Sequence, residues 1–191
     1  SSVDTLIKNG VLEKIVVEKY RLDFNDEIKE EKKVLTNDQQ MVSDEVCDNL
    51  GKPLTYLLYG VTGSGKTEVY MEIIDRVISS GKQALLLVPE ITLASQITKR
   101  FCKRFSNIAV LHSGLSDGEK YDEYRKIKRG EVDIVIGARS AIFAPLEKIG
   151  VIIIDECHSD TYKQENMPKY DSIDIASFRS KTHNCPVVLG S

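Results

Sequence analysis

The stretch "LLYGVTGSGKTEVY", residues 57–70, decides how this chain is read. An apolar run ends in a glycine-rich hexapeptide, and Lys66 and Thr67 open a helix-like sequence. Residues 60–67, "GVTGSGKT", fit the spacing G-x-x-x-x-G-K-[ST], with Gly60, Gly65, Lys66 and Thr67 at its fixed positions. Glycines let the main chain wrap closely, so that the N–H groups of Gly60, Val61, Thr62, Gly63, Ser64 and Gly65 point at phosphate oxygens. The helix that begins near Lys66 aims the positive end of its dipole at the same anion. The Lys66 ammonium would reach the β and γ phosphates of a nucleotide, and the Thr67 hydroxyl would help hold Mg²⁺. A plain glycine-rich turn would share this composition. The buried-type strand before the loop and the amphipathic helix after it favour the phosphate loop.

Outward from the loop, strands and helices alternate. Strands are predicted at 54–60, 83–89, 108–112, 132–137, 150–156 and 186–190, and helices at 66–80, 93–105, 117–129 and 173–181. Several strands are apolar throughout, as strands covered on both faces are, so the fold class is α/β, a parallel sheet with helices on both faces. Upstream, Thr36 and Gln39 form a capping box for a helix whose apolar face is read as Val42, Val46 and Leu50, stopped by Gly51 and Pro53. The division expected is a small N-terminal extension at 1–22, a charged linker at 23–34 and the main lobe at 35–191. Within the extension, a short helix ends at Gly10 and "VLEKIVVEKYRL", 11–22, reads as a strand or hairpin.

A phosphate loop that hydrolyses its nucleotide needs an acidic partner. "VIIIDECH", 151–158, delivers Asp155 and Glu156 to the carboxyl end of a strand, where open α/β sheets bind ligands. Asp155 would hold Mg²⁺ mostly through water, and Glu156 would orient the attacking water and accept its proton.

Composition narrows the alternatives. The chain of 191 residues is 41% hydrophobic and 29% charged, with net charge −3, so no whole-domain basic field advertises nucleic acid. No apolar run approaches the ~18 residues of a membrane span, and no signal peptide is visible. The four cysteines show no Cys-x-x-Cys spacing, which argues against zinc within this chain and for free thiols in a reducing compartment. Lys99, Arg100, Lys103 and Arg104, and likewise Lys126, Lys128 and Arg129, read as solvated helix faces, with a DNA-facing stripe as the alternative. Arg139, after a strand end, is a candidate for a phosphate or coupling contact, or else for a salt bridge to a nearby acid.

The run Asp155-Glu156-Cys157-His158 resembles the DExH form of helicase motif II, and with the phosphate loop it points to the superfamily 2 helicases. Other blocks are similar in order: "LTNDQ" (35–39) to the Q motif, "VPEITLASQ" (88–96) to motif Ia, "IGARSAIFAP" (136–145) to motif Ib and "VVLGS" (187–191) to the start of motif III. Over residues 35–191, "YGVTGSGKTEVY", "LHSGLSDGEKYDEYRKIKRGEVDIVIGARSAIFAP" and "DECHSDTYKQENMPKYDSIDIA" resemble the primosomal protein N′ (PriA) family, and 3–22 are similar to the end of its winged-helix domain.

The resemblance implies a RecA-like lobe of a 3′-to-5′ DNA helicase that restarts replication in the bacterial cytoplasm, associated with the nucleoid. It implies ATP and Mg²⁺, single-stranded and forked DNA, primosome proteins, and a second motor lobe and DNA-binding domains in the parent chain, with zinc only in that second lobe. It implies that Gln39 reads the adenine edge and that His158 links nucleotide state to motif III. It further implies that 161–170, "TYKQENMPKY", senses single-stranded DNA through Tyr162, Lys163, Gln164 and Tyr170, with rings stacking on bases. Cys157 and Lys169 stand where the family commonly has Glu and Arg. The facing lobe supplies the arginine finger, so this chain alone is expected to bind nucleotide and turn it over slowly. The competing readings are a RecG-type or competence-type translocase, a nucleotide-dependent binding module without motor action, and a phosphate-loop kinase.

Overall fold

A computed structural model describes residues 2–13, 15, 20–22, 32–61, 63–89 and 96–191. The charged linker at 23–34 falls mostly outside these residues, as do Thr62 and residues 90–95 of the motif Ia block. Helix α1, Ser2–Lys8, ends in a turn where Gly10 takes φ +69°, as expected. The strand or hairpin expected at 11–22 lies largely outside the described residues, since 14 and 16–19 are among those left out.

Helix α2 spans Asn37–Asp48, and its first turn closes with the expected capping box. The Thr36 hydroxyl accepts from the Gln39 N–H at 3.3 Å, and the Gln39 Oε1 accepts from the Thr36 N–H at 3.0 Å. Its buried face is Ser43 and Val46, with Cys47 and Leu50 packed beside them, while Val42 is exposed. The expected face therefore holds at Val46 and Leu50 and fails at Val42, because the face that meets the protein turns toward Ser43 and Cys47.

The core is a six-stranded, wholly parallel sheet. In chain order come β1 (Thr55–Leu58), α3 (Lys66–Ser79), β2 (Gln83–Leu87), α4 (Gln96–Arg104), β3 (Ile108–Leu111), α5 (Asp117–Lys128), β4 (Ile134–Gly137) and β5 (Ile149–Ile154). Then follow a two-strand ladder of β6 (Lys163–Gln164) and β7 (Tyr170–Asp171), α6 (Ser172–His183) and β8 (Val187–Gly190). The spatial order is β1-β8-β5-β2-β4-β3, so β8, last in sequence, inserts between β1 and β5.

Side chains alternate across each strand. Leu86, Val110, Ile136 and Ile153 pack with α2, α3 and α4 on one face, and Leu85, Leu87, Val135 and Ile152 with α5 and α6 on the other. Each fully buried Leu or Ile contributes about 1.5–3 kcal/mol relative to exposure, and the continuous apolar runs are the mark of that two-sided cover. Arg100 and Arg104 are not a solvated stripe. They pair with Glu68 and Asp75 on α3 and tie α4 down, leaving Lys99 and Lys103 exposed. Lys126 also departs from the solvated reading, since it pairs with the buried Glu123 at 2.5 Å and donates to the Leu22 carbonyl. Among the described residues, no helix is long and apolar enough to cross a membrane.

Candidate nucleotide-binding site

All six strands run the same way, so the segments after β1 and β5 emerge at one edge of the sheet, separated by β8 alone. After β1, the chain turns through Gly63 and Gly65, both at φ +84°, a region that costs glycine nothing. A Cβ on Gly60 would stand 2.7 Å from the Ser64 hydroxyl, and one on Gly65 would overlap the Gln39 amide. Gly65 caps α3 without any side-chain hydrogen bond. The first N–H groups of a helix lack intrahelical partners and draw anions. The Lys66 ammonium folds back onto the Gly60 carbonyl, using one of its three donors. The open N-terminus of α3 and one ammonium fit a polyphosphate, but the Gly60 N–H is taken by the Ser191 carbonyl at 2.9 Å and the Ser64 N–H by the Val61 carbonyl at 3.0 Å, so these two do not point at phosphate as expected. Gln39 donates to the Ser64 carbonyl at 3.0 Å, so the candidate adenine reader rests against the phosphate loop.

Strand β5 delivers Asp155, which is buried, and Glu156, which is exposed. The Asp155 N–H donates to the Leu87 carbonyl at 2.9 Å, and the Cys157 N–H to the Gly190 carbonyl at 2.8 Å. Between these two anchors Glu156 takes φ +47°, a left-handed conformation that costs a non-glycine residue about 1 kcal/mol or more. Residue 191 stitches this turn to the phosphate loop. Its N–H donates to the Leu58 carbonyl at 3.0 Å, its carbonyl accepts from the Gly60 N–H at 2.9 Å, and its hydroxyl lies 3.1 Å from His158 Nδ1. The chain therefore brings Lys66, Thr67, Asp155, Glu156 and His158 to one edge. Asp155 and the Thr67 hydroxyl in the first turn of α3 are hard-oxygen donors of the kind that Mg²⁺ takes.

Sequence reasoning assigned Tyr70 no role. Its hydroxyl donates to Asp155 Oδ1 at 2.9 Å in the interior. Burial, then the charge and hydrogen bond of Asp155, push this hydroxyl far above its ordinary range, so it stays protonated. The available signal was a phenol within a buried helix face, which must find a partner.

The stacking role expected of Tyr162 fails. Its ring is 1% exposed and its hydroxyl donates to the Asp155 carbonyl at 2.6 Å, so it faces the acid and not solvent. Lys163 is exposed, Gln164 and Tyr170 are half-buried, and the β6–β7 ladder pairs Gln164 with Tyr170. Tyr170 packs edge-on against Phe143, centroids 5.0 Å apart. Arg139 meets no acid among the contacts described. Its guanidinium donates to the carbonyls of Lys163 at 2.7 Å and Thr161 at 3.4 Å and lies 5.9 Å from the Tyr170 ring. A cleft of about 250 Å³ opens beside it, lined by Ser113, Ala138, Arg139, Ser140 and Thr161.

A parallel sheet whose carboxyl edge carries a glycine-rich loop and an acidic turn defines a RecA-like phosphate-loop lobe. The chain belongs to the family described as type III restriction enzyme, res subunit, whose model matches residues 32–189. It is 50% identical over its whole length to the replication restart protein PriA of Bacillus subtilis (strain 168) and 44% identical to that of Synechocystis sp.. It covers 24% and 23% of those proteins, so the chain spans about a quarter of the length of the relatives it matches. The resemblance to the PriA family read from the motifs is thereby borne out.

Among solved structures, RecG bound to a three-way DNA junction matches 82% of this chain and 21% of its own, with TM-score 0.60 and 26% identity. The UvsW helicase of bacteriophage T4 matches 99% of this chain and 68% of its own, with TM-score 0.56 and 17% identity, a likeness of fold.

Proposed function

We propose that this chain is the ATP-binding first motor lobe of a PriA-type, 3′-to-5′ DNA helicase acting in replication restart. The observation that carries the reading is the stitching of the Lys66 loop to the Asp155–Glu156 turn through residue 191 and Tyr70. In this reading the loop N–H groups and Lys66 bind the phosphates, Thr67 and Asp155 hold the metal, and Glu156 orients water and takes its proton. Mg²⁺, when bound, neutralises charge on the phosphates. Gln39 reads the adenine from beside the loop, and His158 passes nucleotide state to motif III through Ser191.

The hairpin 161–171 carries the DNA-sensing surface, with Lys163, Gln164 and Tyr170 outward and Tyr162 inward as the coupling element. Arg139 clasps that hairpin beside the cleft. Residues 35–191 form the lobe, 23–34 the linker and 1–22 the end of a winged-helix-like element. Forked DNA, primosome proteins, a second motor lobe, zinc in that lobe and a bacterial nucleoid setting complete the proposal. Whole-length identity to PriA favours this over a RecG-type translocase.

The test is Lys66→Ala in the full-length protein. DNA-stimulated ATP hydrolysis should fall by about 100-fold or more, the scale for losing one group that stabilises developing charge, and unwinding should stop. Unchanged unwinding would exclude the motor reading.

A further inference from the structure

Tyr70, Asp155 and Gly190 come from three different elements, α3, β5 and β8, and meet at one point. The phenol oxygen of Tyr70 occupies the space beside Gly190, where a Cβ would overlap it outright and stand 3.1 Å from both Asp155 Oδ1 and Tyr70 Cζ. Tyr70 is 2% exposed, and the carboxylate it serves is itself buried, so the bond is made away from solvent. One turn earlier on α3 are Lys66 and Thr67, at the phosphate loop.

We infer that Tyr70 is the positioning residue of Asp155: its hydroxyl fixes the rotamer in which the carboxylate faces the metal, and Gly190 lacks a side chain because the phenol stands there. This rests on the phosphate-loop reading above. A carboxylate that reaches a hydrated cation through water needs its orientation set by another partner, because the cation imposes little of it. Tyr70 commits one oxygen, leaving the other to the metal shell. The joint also makes the start of motif III part of the metal site. The Cys157 N–H is bonded to the Gly190 carbonyl, so β8 is tied to the acidic turn through its main chain, and the phenol that serves the carboxylate stands against Gly190.

The experiment uses the full chain, a fluorescent ADP and titrated Mg²⁺. Tyr70→Phe keeps the ring and removes the donor. The Mg²⁺ concentration that half-saturates the metal-dependent gain in ADP binding should rise about tenfold, the lower end for losing a partner of a metal ligand. ADP affinity in excess chelator should stay within twofold. An unmoved Mg²⁺ midpoint overturns the inference, and so does an equal loss with and without metal, which is what damage to the fold would give.

Gly190→Ala, which places a methyl on the phenol, should lower the unfolding temperature. Tyr70→Phe in the same chain should restore part of that loss; simple additivity of the two changes overturns the steric half of the inference. Lys66→Ala in the same assay is the separate check on the reading beneath, since retained ADP binding would sink the phosphate loop whatever Tyr70 does.

Discussion

Tyr162→Phe tests whether the aromatic loop is anchored to the acid or open to DNA. The ring is 1% exposed, and its hydroxyl is bonded to the Asp155 carbonyl at 2.6 Å. Phenylalanine fills the same space, so the packing term is nearly unchanged and the loss is the hydrogen bond. Stranding a buried acceptor costs about 1–3 kcal/mol. In a chain of this size each kcal/mol moves the melting temperature by about 2–4 °C, so a fall of several degrees is expected.

Tyr162→Ala adds a cavity and should cost about 3–5 kcal/mol, as large-to-small aromatic changes do. Urea denaturation followed by circular dichroism measures both, with the slope unchanged if the unfolding remains two-state. In the same variants, Tyr162→Phe should leave single-stranded DNA affinity within twofold. The reasoning is refuted if Tyr162→Ala unfolds like the parent chain while its DNA affinity drops, because that pattern belongs to a solvent-facing ring stacked on bases.

Arg139→Ala removes two charge-assisted bonds to the hairpin, and amide exchange across 163–171 should quicken by about tenfold or more, read by mass spectrometry. Acid should loosen α3 through Glu72. Burial opposes ionisation of this carboxyl, but hydrogen bonds and charges from Lys32 and Arg76 outweigh it and hold its folded pKa below the ordinary 4.5. Its stabilising contribution is therefore complete above 4.5 and lost as pH falls through the lower folded value. Thermal unfolding at stepped pH should show that contribution to be absent in Glu72→Gln, whose acid slope is shallower.

Much of the site was legible because its parts are local. The loop at 60–67 and the acids at 155–156 each lie within eight residues, and Thr36 with Gln39 spans a single turn. The continuous apolar runs at 84–88 and 151–154 announced a sheet covered on both faces. Strand order was not legible, since nothing near 187–190 says that this segment lies between β1 and β5. Tyr70 was hidden for the same reason: its partner is 85 residues away in sequence, and a phenol in a helix stripe scores as apolar. Tyr162 and Tyr170 occupy similar polar surroundings in sequence, yet one is buried and the other half-buried. Only the fold of the hairpin onto the acid separates them. Arg139 drew attention by its position, but sequence offered acids and phosphates as partners, whereas carbonyls of the hairpin hold it.

The turn at Glu156 sets two demands on one position against each other. Its main chain adopts a shape that glycine or asparagine would occupy with less strain, while the proposed chemistry requires a carboxylate there. Selection for heat resistance alone would drift this residue away from glutamate, giving a sturdier and inert molecule. A glutamate kept at that bend would record selection for turnover over ruggedness.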